Sequence, residues 1–277
     1  MVELIITDQY GCMDSVTNSI DVNPGPIALF ISDTVCEGIA TTFTDLSTTV
    51  PPLGGPIDTY LWEFGDLATG TSPLPNPTYI YAQAGIYIVN LTVTDVNGCQ
   101  GYYSDTVVVD TIPIANFSAT EVCHTFPTIF TDQSLNTSGT IVSWSWDFGD
   151  GPPPGTSILA SDIYTYTDAG NYTVTLTVTD DNGCSDTWDS TITVRPNPTA
   201  LFTADTVCVG FNTIFTDLSN IVPPLGGTIT DWDWDFGDPA NGTSILPDPL
   251  YGYQDFGTFM VELIITDQYG CMDSVTN

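Results

Sequence analysis

Ser143–Gly151 reads SWSWDFGDG, and the alternation in this stretch decides the fold. Trp144, Trp146 and Phe148 occupy every second position, with Ser145 and Asp147 between them. A period of two places the three rings on one face of a β-strand and the polar groups on the other, whereas helical spacing does not fit. The pattern recurs upstream as TYLWEFGD (Thr59–Asp66) and downstream as DWDWDFGD (Asp231–Asp238), with Tyr60/Trp62/Phe64 and Trp232/Trp234/Phe236 as the ring faces. A second alternating run follows each copy: YIVNLTVTD from Tyr87, YTVTLTVTD from Tyr172 and FMVELIITD from Phe259. Tyr87/Val89/Leu91/Val93, Tyr172/Val174/Leu176/Val178 and Phe259/Val261/Leu263/Ile265 each point one way. Asn97-Gly98 and Asn182-Gly183 beyond these runs are hairpin signals.

The cysteines mark the repeat. Cys36, Cys123 and Cys208 follow one another at 87 and 85 residues, and Cys12, Cys99, Cys184 and Cys271 at 87, 85 and 87. Each unit is therefore about 86 residues. On a longer scale MVELIITDQYGCMDSVTN stands at Met1–Asn18 and again, letter for letter, at Met260–Asn277, a period of 259 residues that holds three units. This reading expects both ends to be cut from a longer array, with Met1 not an initiator. Short β-rich runs separated by clusters such as VPPLGG and GPPPG, in units of this size, predict small antiparallel β-sandwiches.

Thirty-four acids face one basic residue, Arg195, for a net charge of −33. Nucleic acid and anionic membrane surfaces are thereby excluded as partners, because both require Lys or Arg to neutralise phosphate. Such charge often accompanies disorder, yet 42% hydrophobic and 12% aromatic residues suffice for packed cores. No apolar run approaches the roughly 18–20 residues of a membrane span, so no membrane insertion is expected in this segment.

WDFGDG (Trp146–Gly151), followed by YTYTDAGNYTVTLTVTDDNGC, resembles the polycystic-kidney-disease (PKD) repeat, an immunoglobulin-like sandwich of seven strands. The same downstream Tyr-x-x-x-Gly recurs at Tyr81/Gly85, Tyr166/Gly170 and Tyr253/Gly257, while Leu67 and Pro239 depart from the glycine after FGD. The resemblance implies an all-β fold of tandem Ig-like sandwiches in an extended rod. Residues 1–26 are then the last strands of a preceding domain. Domains follow at 27–112, 113–197 and 198–277, the final one truncated at its last strand.

Catalysis finds little support. His124 adjoins Cys123, which invites a nucleophile and base, but Glu37 and Val209 stand at the equivalent positions of the other units. No GxSxG, HExxH, P-loop or dinucleotide fingerprint is present, so no enzyme is expected. The acids recur at strand ends, where turn chemistry accounts for most of them. In the implied topology acids from two domains meet at each junction. The candidate set for junctional Ca²⁺ is then Asp66, Asp150 and Asp238 with Asp45, Asp132, Asp217, Asp95, Asp180 and Asp267, although no dedicated calcium motif occurs.

Two cysteines per domain, without CxxC or Cys/His clusters, suggest disulfides rather than zinc. By the resemblance, one cysteine lies in the A–B turn at the C-terminal pole of its domain and the other in the F–G turn at the N-terminal pole. A strand of about eight residues separates these by ~26 Å, too far for a bridge. Inter-domain pairs Cys36–Cys184 and Cys123–Cys271 are expected, with partners of Cys12, Cys99 and Cys208 outside the segment. Pairing within each domain and free thiols are the alternatives. Asn-x-Ser/Thr sequons at Asn90, Asn116, Asn136, Asn171 and Asn241, and Asp-Ser/Thr-Val/Ile triplets from Asp14 to Asp273, are weak signals for glycans.

Near-identical long repeats in an acidic, cysteine-bearing array resemble the SprB-like giant surface adhesins of gliding Bacteroidota, exported by type IX secretion. That resemblance implies an extracellular, cell-surface filament or stalk serving adhesion and gliding motility. Its partners would be neighbouring repeats, surface polysaccharide or motility machinery. The alternatives are a carbohydrate-binding accessory array of a secreted polysaccharide-degrading enzyme, and a sheath or surface-layer polymer.

Overall fold

The computed structural model describes residues 1–277, which are strands, turns and connecting segments without a helix. The chain divides into two compact units, Met1–Ile112 and Pro113–Asn277. The second is the more informative, because it holds two consecutive sandwiches.

The sandwich between Pro113 and Pro198 has two sheets. Phe117–Ala119, Thr128–Asp132 and Ser161–Tyr164 form one, antiparallel throughout. The other runs in the order Val122–Cys123, Ser185–Arg195, Gly170–Asp180, Ile141–Asp147, Thr156–Ser157. Alternation is obeyed on the inner faces. Trp146, Phe148, Val174, Leu176 and Val178 are buried with Phe117, Phe130 and Val194, while Trp144 and Tyr172 pack half-buried at the margin. Trp146 meets Phe117 edge to face at 5.1 Å, and its Nε1–H donates to Leu159 O at 2.8 Å, so the largest core side chain leaves no polar atom unpaired. Trp62 and Trp234 make the same bond to Leu74 O and Leu246 O.

The FGD sequence acquires a separate reason for each letter. Phe148 fills the core. Gly149 has φ 74°, and a Cβ there would stand 2.2 Å from Thr173 O, inside the backbone of the neighbouring strand. Gly65 and Gly237 are held in the same way against Ile88 O and Met260 O. Asp150 accepts from Gly155 N at 2.7 Å and from the Tyr164 hydroxyl, tying the turn back to the opposite sheet.

One strand differs from the expected layout. Val122–Cys123, like Val35–Cys36, is not part of a turn but a two-residue strand paired in parallel with the last strand of its domain. After Ala119 the chain leaves the first sheet and crosses to the edge of the second. The hairpins after Asp95, Asp180 and Asp267 are also more specific than the Asn-Gly signals of the first two and the Tyr269-Gly270 of the third. In each, the aspartate carboxylate accepts two backbone amides of its own loop, and the glycine lies at φ 80–84°.

Candidate functional site

The features not already used by the core gather where the two sandwiches of Pro113–Asn277 meet. Cys123, placed by its edge strand, reaches Cys271 in the hairpin loop of the following domain. The two form a disulfide with Cα atoms 5.5 Å apart across 148 residues of chain. Asp267 shapes that loop by accepting from Tyr269 N and Cys271 N, both at 2.9 Å.

Arg195 ends the last strand of the preceding sandwich and lies beside this bridge. Its Nη2 donates to Glu121 Oε2 at 2.9 Å and its Nη1 to Leu225 O at 3.4 Å, while Cζ stands 3.4 Å from the centroid of the Tyr269 ring. The single basic side chain thus joins a carboxylate of one domain to a carbonyl and an aromatic face of the next. Sequence reasoning missed this clamp. The signal available was that Tyr269-Gly270 replaces the Asn-Gly of the two preceding hairpins, in the same domain pair that carries the only arginine. Arg195 is 17% exposed and Glu121 67%, so most of the value resides in the stacked, desolvated guanidinium. Arg195→Gln is expected to weaken the coupling of the two domains by about 1–2 kcal/mol. Hydrogen exchange should show faster opening of the Tyr269 hairpin with unchanged protection of the Gly170–Asp180 strand.

Cys36 and Cys184 are both disulfide-bonded. Cys12, Cys99 and Cys208 are free thiols, Cys12 and Cys208 exposed and Cys99 half-buried. With Cys123 in a disulfide, the Cys123-His124 pair has no thiolate to offer. His124 instead meets Thr167 O through Nε2 at 2.8 Å, the counterpart of Glu37 accepting from Ala84 N.

The nine aspartates of the calcium set are engaged locally, and within either unit no metal-holding group of three Asp, Glu, His or Cys side chains forms. Asp66 and Asp238 accept from Tyr79 and Tyr251 hydroxyls at 2.6 Å and from Gly70 and Gly242 amides, as Asp150 does from Tyr164 and Gly155. Asp132 and Asp217 accept from Trp144 and Trp232 Nε1 at 2.8 Å and from the amide two residues on, and Asp45 accepts from Ser47 N. Asp95 Oδ2 takes Gly55 N and Asp180 Oδ2 takes Asn136 Nδ2, whereas Asp267 Oδ2 is buried without a partner. Within each unit these carboxylates build turns instead of converging on a common point.

The same bonds set the titration. The Tyr251 hydroxyl and the Gly242 amide hold Asp238 below the usual carboxylate range, against the opposing effect of burial. For Asp150, burial opposes ionisation but is outweighed by Tyr164 and Gly155. Donation to Asp66 and Asp150, with burial added, pushes Tyr79 and Tyr164 up to about 12, and burial beside Asp238 takes Tyr253 to about 12. A phenol raised above its unfolded value of about 10 favours the folded state fully below that pH and loses the contribution as pH climbs toward the folded value. The protein is therefore expected to lose stability between about pH 10 and 12. Phenolate absorbance and strand circular dichroism should change together; ordinary ionisation near pH 10 with the fold intact would contradict the bonded tyrosines.

The chain matches the PKD domain family at residues 23–111, 110–196 and 195–277. It is 37% identical over 151 residues to the pre-pro-metalloprotease PrtV of Vibrio cholerae, covering 52% of this chain and 15% of that protein. It is 31% identical over 106 residues to the collagenase ColA of Bacillus cereus, covering 30% and 11% respectively. The crystal structure of the PKD1 domain of PrtV aligns at 43% identity over 30% of this chain and 96% of that domain, with a TM-score of 0.27. The chain thus spans only a small share of the curated proteins it matches. With the three matched segments together spanning residues 23–277, the chain belongs to the PKD domain family.

Proposed function

We propose that the chain is a non-catalytic structural segment of a long extracellular filament or stalk, serving adhesion and gliding at a bacterial cell surface. The observation that carries this reading is the 259-residue period closed by an identical 18-residue segment. Repetition at that fidelity favours a protein whose length is itself the product, because neighbouring copies of one domain supply the same interface again and again. A disulfide across a domain junction suits an oxidising compartment and a mechanical load. By the repeat, Cys36 and Cys184 are the equivalents of Cys123 and Cys271 one unit earlier, and we include that pairing in the proposal. Acid on every unit keeps such rods apart in solution. Neighbouring repeats are the primary partners, with surface polysaccharide and motility machinery at the ends.

A second reading, an accessory array of a secreted hydrolase, is favoured by the likeness to PrtV and to a collagenase, in each of which the matched part is small. Immunogold labelling of intact cells and sedimentation with insoluble polysaccharide or collagen separate the two. The filament reading expects label on surface fibres and no sedimentation. Label confined to the medium, with the protein carried down by the insoluble polymer, would favour the accessory array and defeat the filament.

A further inference from the structure

The Cys123–Cys271 bridge joins residues 148 positions apart, and nearly all that holds two sandwiches together lies inside the loop it closes. Trp146, Phe148, Leu176 and Val194 are within it, and of the buried cluster in that sandwich only Ala115 and Phe117 precede it. In the following sandwich every buried member of the core, from Ala200 to Ile265, is inside, and only the half-buried Val275 comes after. Two strands of Pro113–Asn277 remain wholly outside. Phe117–Ala119 is held to its neighbour by three residue pairs, and Met272–Thr276 by five. Val122–Cys123 ends on the bridge itself.

A crosslink carries tension past the chain it encloses. Load applied before Cys123 and after Cys271 passes through two sulfur atoms, so the residues between them cannot be drawn out while the bridge stands. Between Met1 and Asn277 there are 276 residue steps; removing 148 leaves 128. The pairing of Cys36 with Cys184 proposed above closes a second loop of the same length. The two loops interleave, because Cys123 lies inside the second and Cys184 inside the first. The shortest covalent route then reaches Cys36, crosses to Cys184, runs backwards over 61 steps to Cys123 and crosses to Cys271, with 102 steps from end to end.

We propose that the two interleaved bridges work as a redundant stop against extension under tension. Either bridge alone takes 148 residues out of the load path, and both must be lost before the chain can be drawn to its full length. Interleaving is what makes the stop redundant. Bridges that close separate loops each guard only their own residues, and the loss of one releases its whole loop. Here the loss of one bridge frees only the difference between 102 and 128 steps, because the other still spans most of the same chain. The second bridge rests on the pairing proposed above; neither depends on adhesion or gliding being the protein's role.

The test is single-molecule stretching of the full chain in optical tweezers, with handles ligated enzymatically to both ends and iodoacetamide on Cys12, Cys99 and Cys208 so that they form no new bridges. At ~3.5 Å per step the intact chain should become taut at about 360 Å. Cys36→Ala/Cys184→Ala and Cys123→Ala/Cys271→Ala should each reach about 450 Å, and the variant lacking all four cysteines about 970 Å. The first bridge lost thus releases about 90 Å and the second about 520 Å, in whichever order they are removed. Taut length is set by covalent connection, so a variant that fails to fold still reports it. Equal increments for the first and second bridge, or a Cys123→Ala/Cys271→Ala chain that runs out to about 970 Å, would overturn the proposal. The lengths are read on isolated chains, so they hold or fail independently of where immunogold places the protein on cells.

Discussion

Gly149→Ala is expected to unfold the 113–197 sandwich selectively, at a cost of about 3–5 kcal/mol. Two effects add. An L-residue at φ 74° carries left-handed strain of about 1–2 kcal/mol, and the new methyl would lie 2.2 Å from Thr173 O. That oxygen belongs to Gly170–Asp180, one of the domain's two 11-residue strands, so relief requires moving a strand whose inner face is Val174, Leu176 and Val178. Against the 5–15 kcal/mol that stabilises an ordinary domain, such a loss is large. Gly151→Ala is the control. Its φ is 100°, but a Cβ there has nothing within 4 Å, so only the backbone strain remains. Hydrogen exchange resolved along the sequence should show protection lost in the Gly170–Asp180 strand for the first variant and retained for the second. Equal, small effects would mean that the FGD glycine is chosen for its turn and not for the approach of the neighbouring strand.

Removing the junction bridge with Cys123→Ala/Cys271→Ala is expected to destabilise both sandwiches of Pro113–Asn277. Closing a loop of 148 residues restricts the unfolded chain by about 5 kcal/mol in the chain-entropy account, an upper figure because native strain and residual structure reduce it. For a unit of this size the melting temperature should fall by roughly 10–20 °C. Calorimetry should further show the two domains separating into distinct transitions, since Arg195 is then the principal polar tie between them. One unchanged transition would show that packing alone couples the domains.

The parts of this structure that were legible in the sequence are those governed by local periodicity. Trp146 and Phe148 face inward because strand side chains alternate, a property that needs no knowledge of the rest of the chain. The turn-separated β-rich runs pointed to a sandwich, and the family resemblance then supplied its Ig-like strand order. What escaped were contacts made by residues far apart. Val122–Cys123 was placed in a turn because two residues carry no periodicity; only the parallel pairing with Val194–Arg195 makes them a strand. Asp66, Asp150 and Asp238 were weighed both as turn residues and as a junctional calcium set; their tyrosine partners could not be named in advance, because they lie 13 or 14 residues on, across the sandwich. Arg195 stood out in the composition, yet its partners Glu121, Leu225 and Tyr269 come together only through the fold.

The central claim is that successive domains are tied covalently across their junctions, and a non-reducing peptide map of the thiol-blocked protein tests it most directly. Trypsin is of no use for the digest: there is no lysine, and Arg195 precedes proline. Pepsin at low pH cuts freely and suppresses exchange of bridges, because the attacking thiolate is absent. The account predicts a linked pair of peptides containing Cys123 and Cys271, together with blocked thiols at Cys12, Cys99 and Cys208. Recovery of Cys123 linked to Cys184, or of Cys208 linked to Cys271, would contradict it.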